Sequence, residues 1–275
     1  KRVQQDFWKI NGKLMYLCTH TRPDISYAMN QLTSVAHRPA RLHLAQAHHL
    51  LQYLVTTKAH KMKFHRATKL ELSGYNYMDP EHFTSETETA MEGYGDSSYG
   101  DCKATARSSA GHMFFLGKNQ ACIEAVAKKL PIVGNSSTEN EYVTLSRAAQ
   151  SGFYIKLFID ELGIFRHPVR FKIYEDNSAT LNALKKNVAT SKFRQIRTRW
   201  HYLRDMIRDK DVCVKKIHTD SQCADIFTKP LFGEKLKKFT GQMLGHLPRD
   251  HDEGKIVDMD YQPEMETKKI EVYVK

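Results

Sequence analysis

The sequence predicts an α/β chain built on a mixed β-sheet and preceded by a segment made only of helices. Three observations predict it. Two short β-type runs, "GHMFFLG" and "ACIEAVAKK", follow one another closely. Further strands, "VRFKIYED" and "VCVKKIH", alternate with helical stretches, and the region from Leu14 to Thr57 repeats at helical period. The chain has 275 residues and is 41% hydrophobic, enough for one sizeable core and a smaller satellite.

The helical segment divides at its prolines. In "TRPDISYAMNQLTSVAH", Pro23 falls at a first-turn position, with Asp24 beside it at the positive end of the helix dipole. Pro39 ends that run, and "ARLHLAQAHHLLQYLV" forms a second helix with Leu44, Ala47, Leu51 and Leu54 on its apolar face. His48 and His49 are adjacent, point about 100° apart and do not make the i, i+4 pair of a helical metal site. Between Arg66 and Glu92 the texture turns polar and acidic, with turn residues at Gly74 and Asp79-Pro80, so a linker or surface insertion is expected at 67–92.

The sheet region follows, then a tail, "PRDHDEGKIVDMDYQPEMETKKIEVYVK", which carries no sustained period and is expected to be unstructured in part. In "VRFKIYEDNS", Val169, Phe171 and Ile173 alternate with polar residues, giving a strand with one buried face that ends near Asp176. Asp96 lies in the glycine-rich "GYGDSSYG", either on a short strand or in a turn. A helix opens in "STENEYVTLSRAAQ". Taking Tyr142, Leu145, Ala149 and Phe153 as its apolar stripe, Glu141 lies roughly 60° and Glu139 roughly 100° from the centre. Glu141 is therefore nearer the core. Glu139 with Ser136, or Glu141 with Thr138, would equally make a capping box, and spacing leaves capping and chemistry open for both. Asp225 falls on a short helix after the last strand, and His218 in the loop before it.

The formal charge is +11, which favours a polyanionic partner, nucleic acid before a membrane surface. Five scattered cysteines with no CxxC spacing predict reduced thiols and no zinc site. No apolar run approaches the roughly 20 residues of a membrane span, and the N-terminus is no secretory signal. The chain does not begin with methionine, which is expected of a processed product or a fragment of something longer.

The motifs "LMYLCTHTRPDISYAMNQL", "HHLLQYLVTT", "GYGDSSYGDCKATARSSAGHMFFLG", "KKLPIVGNSSTENEYVTLSRAA", "YEDNSA", "TRWHYLRDMI" and "DSQCADIFTKPL" occur in family order from about Phe7 to about Leu247. Together they resemble the C-terminal part of the Pol polyprotein of copia-type LTR retrotransposons, the end of reverse transcriptase followed by ribonuclease H. The resemblance implies a thumb-like helical segment at 1–66 and, at 93–247, a ribonuclease H-like domain with a mixed five-stranded sheet flanked by helices and a C-terminal helical extension. The remaining stretch, 248–275, is the tail.

The resemblance further implies that Asp96, Glu141, Asp176 and Asp225 are the catalytic, metal-binding carboxylates, since the family's glutamate directly precedes an aromatic residue, here Tyr142. The cofactor implied is Mg²⁺ as two ions, with Mn²⁺ an alternative. Such ions about 4 Å apart activate the attacking water and stabilise the leaving 3′ oxygen. His218 matches a loop histidine that aids product release or proton transfer. Beside such a site the basic run "KKNVATSKFRQIRTRWHYLRDMIRDK" reads as a nucleic-acid platform of Lys192, Arg194, Arg197, Arg199, Trp200 and Arg204.

The implied partners are an RNA·DNA hybrid, read through 2′-hydroxyls in a wide minor groove, and the polymerase palm and fingers of the same polyprotein, with no membrane. The implied setting is a cytoplasmic virus-like particle or the nucleus. Three departures stand out. The polymerase Tyr-x-Asp-Asp turn is absent, the acidic insertion is longer than usual, and Tyr99 replaces a common tryptophan. A catalytically silent nucleic-acid binder is the rival expectation. A transposase or integrase is set aside because "RDKDVCV" stands where its glutamate would be.

Overall fold

The computed structural model describes residues 2–65, 91–117, 119–163, 169–186 and 191–249, with the backbone alone at 191 and 192. Residues 66–90, which hold most of the insertion expected at 67–92, and residues 250–275 of the tail lie outside the described residues.

Three helices, α1 (Arg2–His20), α2 (Ser26–Ser34) and α3 (Arg41–Thr56), form the first unit. Helix α1 begins well before the expected Leu14 because Phe7 already belongs to its buried face, with Leu14 and Cys18. These residues pack on Ile25, Met29 and Leu32 and on Ala47, Leu50 and Leu54 of α3. Pro23 opens a single 3₁₀ turn, Pro23–Ile25. Asp24, expected merely to face a helix dipole, is buried. Its two oxygens accept from Arg22 Nε at 2.9 Å and Nη2 at 2.7 Å, and Tyr53 Oη donates to it at 2.8 Å. This pair joins α3 to the turn, and removing either partner would strand a buried charge. His48 and His49 are exposed on α3.

Chain 61–65 then crosses to the sheet unit. Lys63 N donates to Leu244 O at 2.8 Å, and Lys63 O accepts from Ala121 N at 2.9 Å. The sheet contains β1 (Met91–Ser97), β2 (Ser109–Leu116), β3 (Cys122–Lys129), β4 (Phe171–Glu175) and β5 (Val212–Lys216) in the order β3-β2-β1-β4-β5. The first three strands are antiparallel neighbours, and β4 and β5 run parallel to β1. This is the mixed five-stranded, ribonuclease H-like sheet that the motifs led us to expect. Strand β1 begins at Met91, inside the span expected to be linker, because Met91 is fully buried.

Helices cover both faces. On one lie α4 (Ser137–Glu161), α5 (Ser178–Leu184) and α6 (Arg197–Arg208), closing a core of Phe114, Tyr142, Phe171, Trp200 and Leu203. On the other, α7 (Asp225–Thr228) and α8 (Gly233–Met243) close a core of Tyr94, Phe115, Tyr174, Phe227 and Phe239. Lys172 and Tyr174 are consequently buried as well as Phe171 and Ile173, so β4 is buried on two faces rather than the one its alternation predicted. Helix α4 comes close enough to the sheet to require Gly152, where a Cβ would stand 2.5 Å from the Phe171 ring and 2.8 Å from Phe114.

The basic run is not one helix. Its described part is a 3₁₀ stretch, Ser191–Ile196, followed by α6. Arg249, assigned to the tail, is buried instead. Its guanidinium stacks 3.8 Å from the Phe115 ring centroid and donates to Gln120 O and Gly117 O at 2.8 Å each. None of the five cysteines is in a disulfide. Among the described residues no helix is long and apolar enough to cross a membrane.

Candidate active site

The carboxylates gather where β1 and β4 end. Along β1, Gly93 and Gly95 face α4, and Tyr94 and Asp96 face α7 and α8. Asp96 pairs with Gly111 of β2. The missing side chain there admits Phe227, whose Cβ lies 2.2 Å from where an alanine Cβ would be. That close approach brings Thr228 Oγ1 to donate to Asp96 Oδ2. Gln222 Nε2 donates to Gly95 O at 3.0 Å and fixes the loop that leads into α7. Asp225, the first residue of α7, is fully buried, and both its oxygens accept from lysines, Oδ1 from Lys229 and Oδ2 from Lys235 at 2.9 Å. Lys229 Nζ is also 3.7 Å from Asp96 Oδ2.

The two glutamates of α4 have separate tasks. Ser136 is the N-cap and accepts from Glu139 N at 3.2 Å. The Glu139 carboxylate turns back to accept from Asn135 N at 2.7 Å, so Glu139 finishes the helix start. Glu141 instead crosses to the end of β1, where Ser97 N donates to its Oε2 at 3.0 Å. The helical angle placed Glu141 nearer the core, yet both side chains are buried, Glu139 at 1% and Glu141 at 5% exposed; what separates them is that Glu141 meets the end of β1.

Asp176 is half-buried at the end of β4. Before it stands Glu175, which the sequence reading did not single out. It is 1% exposed; its Oε1 accepts from Asn177 N at 2.9 Å and its Oε2 has no protein partner. The available signal was its place in the alternation Phe171, Ile173, Glu175, which aims it at the α4 side. Burial pushes Asp96 up to about 7, with the Lys229 ammonium opposing and Asp225 and Asp176 adding to the rise. Burial, then the charges of Glu175, Asp96 and Asp176, push Glu141 well above the usual carboxylate range. Burial does the same to Glu175, opposed by the Asn177 N–H and reinforced by the charges of Asp176 and Asp96. Asp101, close to Asp96 in sequence, does other work. Despite burial it is held down at about 2 by Lys129, Ser98 and Ser109, and it ties the β1–β2 connection.

Of the other expected site residues, His218 is exposed in the loop after β5, where its Nδ1 accepts from Asp220 N at 3.2 Å and caps a 3₁₀ turn. Arg194 and Arg197 are exposed and Arg199 half-buried; the Lys192 side chain lies outside the described residues. Trp200 was expected on the nucleic-acid face and is a core residue instead. It is 2% exposed, its carbonyl accepts from Tyr142 Oη at 3.1 Å, and the Arg204 guanidinium carbon sits 4.4 Å from its ring centroid. On an amphipathic helix the largest apolar side chain goes to the core.

Chemically the cluster suits a hard divalent cation: every donor is a carboxylate, their charges crowd one another, and the buried Glu175 Oε2 is unpartnered. The arrangement itself is not a finished coordination sphere. Among the described residues no group of three or more His, Cys, Asp or Glu stands ready to hold a metal ion, and Asp225 is turned onto its two lysines.

The strand order, with helices on both faces, is that of a ribonuclease H-like α/β fold. The chain is 30% identical over 236 residues to the retrovirus-related Pol polyprotein from transposon RE1 of Arabidopsis thaliana, covering 85% of this chain and 14% of that protein. It is 27% identical over 219 residues to the corresponding polyprotein from transposon TNT 1-94 of Nicotiana tabacum, covering 79% of this chain and 15% of that one. These relatives are Pol polyproteins of copia-type transposons, and the chain spans about one seventh of their length. No family model matches it. Among solved structures, LC11-RNase H1 in complex with an RNA/DNA hybrid is 11% identical over 50% of this chain and 93% of that one, at a TM-score of 0.38. A likeness at that score adds nothing to the strand order.

Proposed function

We propose that this chain is the ribonuclease H portion of a retrotransposon Pol polyprotein, a metal-dependent endoribonuclease that cuts the RNA strand of RNA·DNA hybrids. The observation that carries the reading is the convergence of Asp96, Glu141 and Asp225 with Asp176 at the ends of the neighbouring strands β1 and β4, in a chain whose relatives are Pol polyproteins. These four would hold Mg²⁺ or Mn²⁺, with Glu175 behind Glu141. A bound divalent cation would polarise the scissile phosphate and favour water attack and departure of the 3′ oxygen.

The chain's own residues do the remaining work. Ser97 N orients Glu141, and Thr228 Oγ1 orients Asp96. The exposed Arg194 and Arg197 are available to neutralise backbone phosphates, which makes binding salt-sensitive. The partners are the hybrid and the polymerase palm and fingers of the same polyprotein.

A second reading, a binder without turnover, is favoured by one observation: both oxygens of Asp225 already hold lysines. The deciding experiment is cleavage of a strand-labelled RNA·DNA hybrid in Mg²⁺ or Mn²⁺, comparing wild type with folded Asp176→Asn. RNA-strand cutting that the variant loses supports the nuclease. Salt-sensitive binding with no cutting by either protein supports the binder.

A further inference from the structure

The contacts of Asp225 explain why a carboxylate cluster of suitable chemistry is not a finished coordination sphere. We infer that Lys229 is a built-in counter-ion that competes with a divalent cation for Asp225 and Asp96, so that the site is charge-neutralised before metal arrives. The inference rests on the reading that these carboxylates take a metal.

The geometry is local and specific. Lys229 lies four residues after Asp225, just past the end of α7, where its backbone is extended with φ −128° and ψ 144°. From there its ammonium donates to Asp225 Oδ1 and stands 3.7 Å from Asp96 Oδ2. Lys235, in the first turn of α8, takes the other oxygen of Asp225 at 2.9 Å. Asp225 is fixed: its side chain is 1% exposed, and α7 is held against the sheet by Phe227 over Gly111. The lysines are not, since their side chains are 41% and 38% exposed and a four-carbon stem can swing the ammonium into solvent or onto a phosphate. A dication entering between Asp96 and Asp225 would meet the Lys229 charge first. Lys235 touches only one of the two carboxylates and obstructs less. Binding of a nucleic-acid backbone would offer Lys229 a second anion and release Asp225 Oδ1, which couples metal occupancy to substrate.

The test is calorimetric titration of Mn²⁺ into the metal-free full chain, without nucleic acid and at fixed ionic strength, for wild type, Lys229→Met, Lys229→Arg and Lys235→Met. Lys229→Met should tighten Mn²⁺ binding on the order of tenfold, the scale expected on removing one half-exposed competing charge. Lys235→Met should tighten it less, and Lys229→Arg should not tighten it. A merely structural lysine would give looser binding on removal, so a gain separates the two roles. If Lys229→Met does not fold, Lys229→Gln carries the same comparison. Mn²⁺ binding by wild type that is unchanged or weakened in Lys229→Met overturns the inference and leaves the metal-site reading standing. Absence of Mn²⁺ binding in wild type and in the lysine variants overturns both.

Discussion

Replacing Asp96 by asparagine should make the metal-free protein more stable, and the gain should grow with pH. Asp96 is 2% exposed and burial carries its carboxyl from 3.8 up to about 7, with Asp225 and Asp176 contributing. A folded-state value raised above the unfolded one means that the native state binds the extra proton between those two pH values. The group therefore costs nothing below about pH 4, and stability is lost as pH rises through about 7. That rise corresponds to a ceiling of ~4 kcal/mol, and sharing of the charge with its neighbours leaves about 2–4 kcal/mol. Asparagine keeps an acceptor for the Thr228 hydroxyl and loses only the Lys229 attraction. Thermal unfolding in EDTA should show little difference between the two proteins at pH 4. At pH 8 Asp96→Asn should melt higher by roughly 5 °C or more, at ~2–4 °C per kcal/mol for a domain of this size. A variant that melts at or below wild type at pH 8, or a difference that is flat with pH, would refute the claim that this carboxylate is buried against its own charge.

Other consequences follow from the same packing. Trp200→Ala should cost about 3–5 kcal/mol in chemical denaturation by leaving a cavity between α4 and α6, and an unchanged midpoint would return the ring to the surface. Arg194→Ala combined with Arg197→Ala should weaken hybrid binding and lower the slope of log affinity against log salt by about 1 per residue; an unchanged slope would remove these arginines from the phosphate contacts. Gly111→Ala forces a Cβ into Phe227 and should push α7 off the sheet. It is expected to lower Mn²⁺ affinity while leaving the melting temperature of the N-terminal helices unchanged, as followed by Trp8 fluorescence after Trp200→Phe, and intact Mn²⁺ binding would contradict it.

Much of this molecule is legible along the chain, because amphipathic period and turn chemistry are relations between near neighbours. The breaks at Pro23 and Pro39, the strands around Phe114 and Ile173, the opening of α4 and the order of the acidic motifs were readable that way. The helical angle did not rank the two glutamates of α4 by depth, since both are buried. What the two glutamates do depends on partners elsewhere: Glu139 finds Asn135 close by, whereas Glu141 finds Ser97, 44 residues away. The same holds for Glu175, which joins the four expected acids as a buried carboxylate only because α4 lies over β4, and for Arg249, which leaves the tail because the Phe115 ring and two carbonyls are waiting for it. Trp200 reads as a stacking surface in a basic run and is a core side chain in space. The lysines on Asp225 complete the contrast, since the i, i+4 position of Lys229 is local but its approach to Asp96 spans the sheet. Local sequence determined which segments are helix or strand and which acids they carry; the tertiary structure decided burial and pairing, because both depend on residues that only folding brings together.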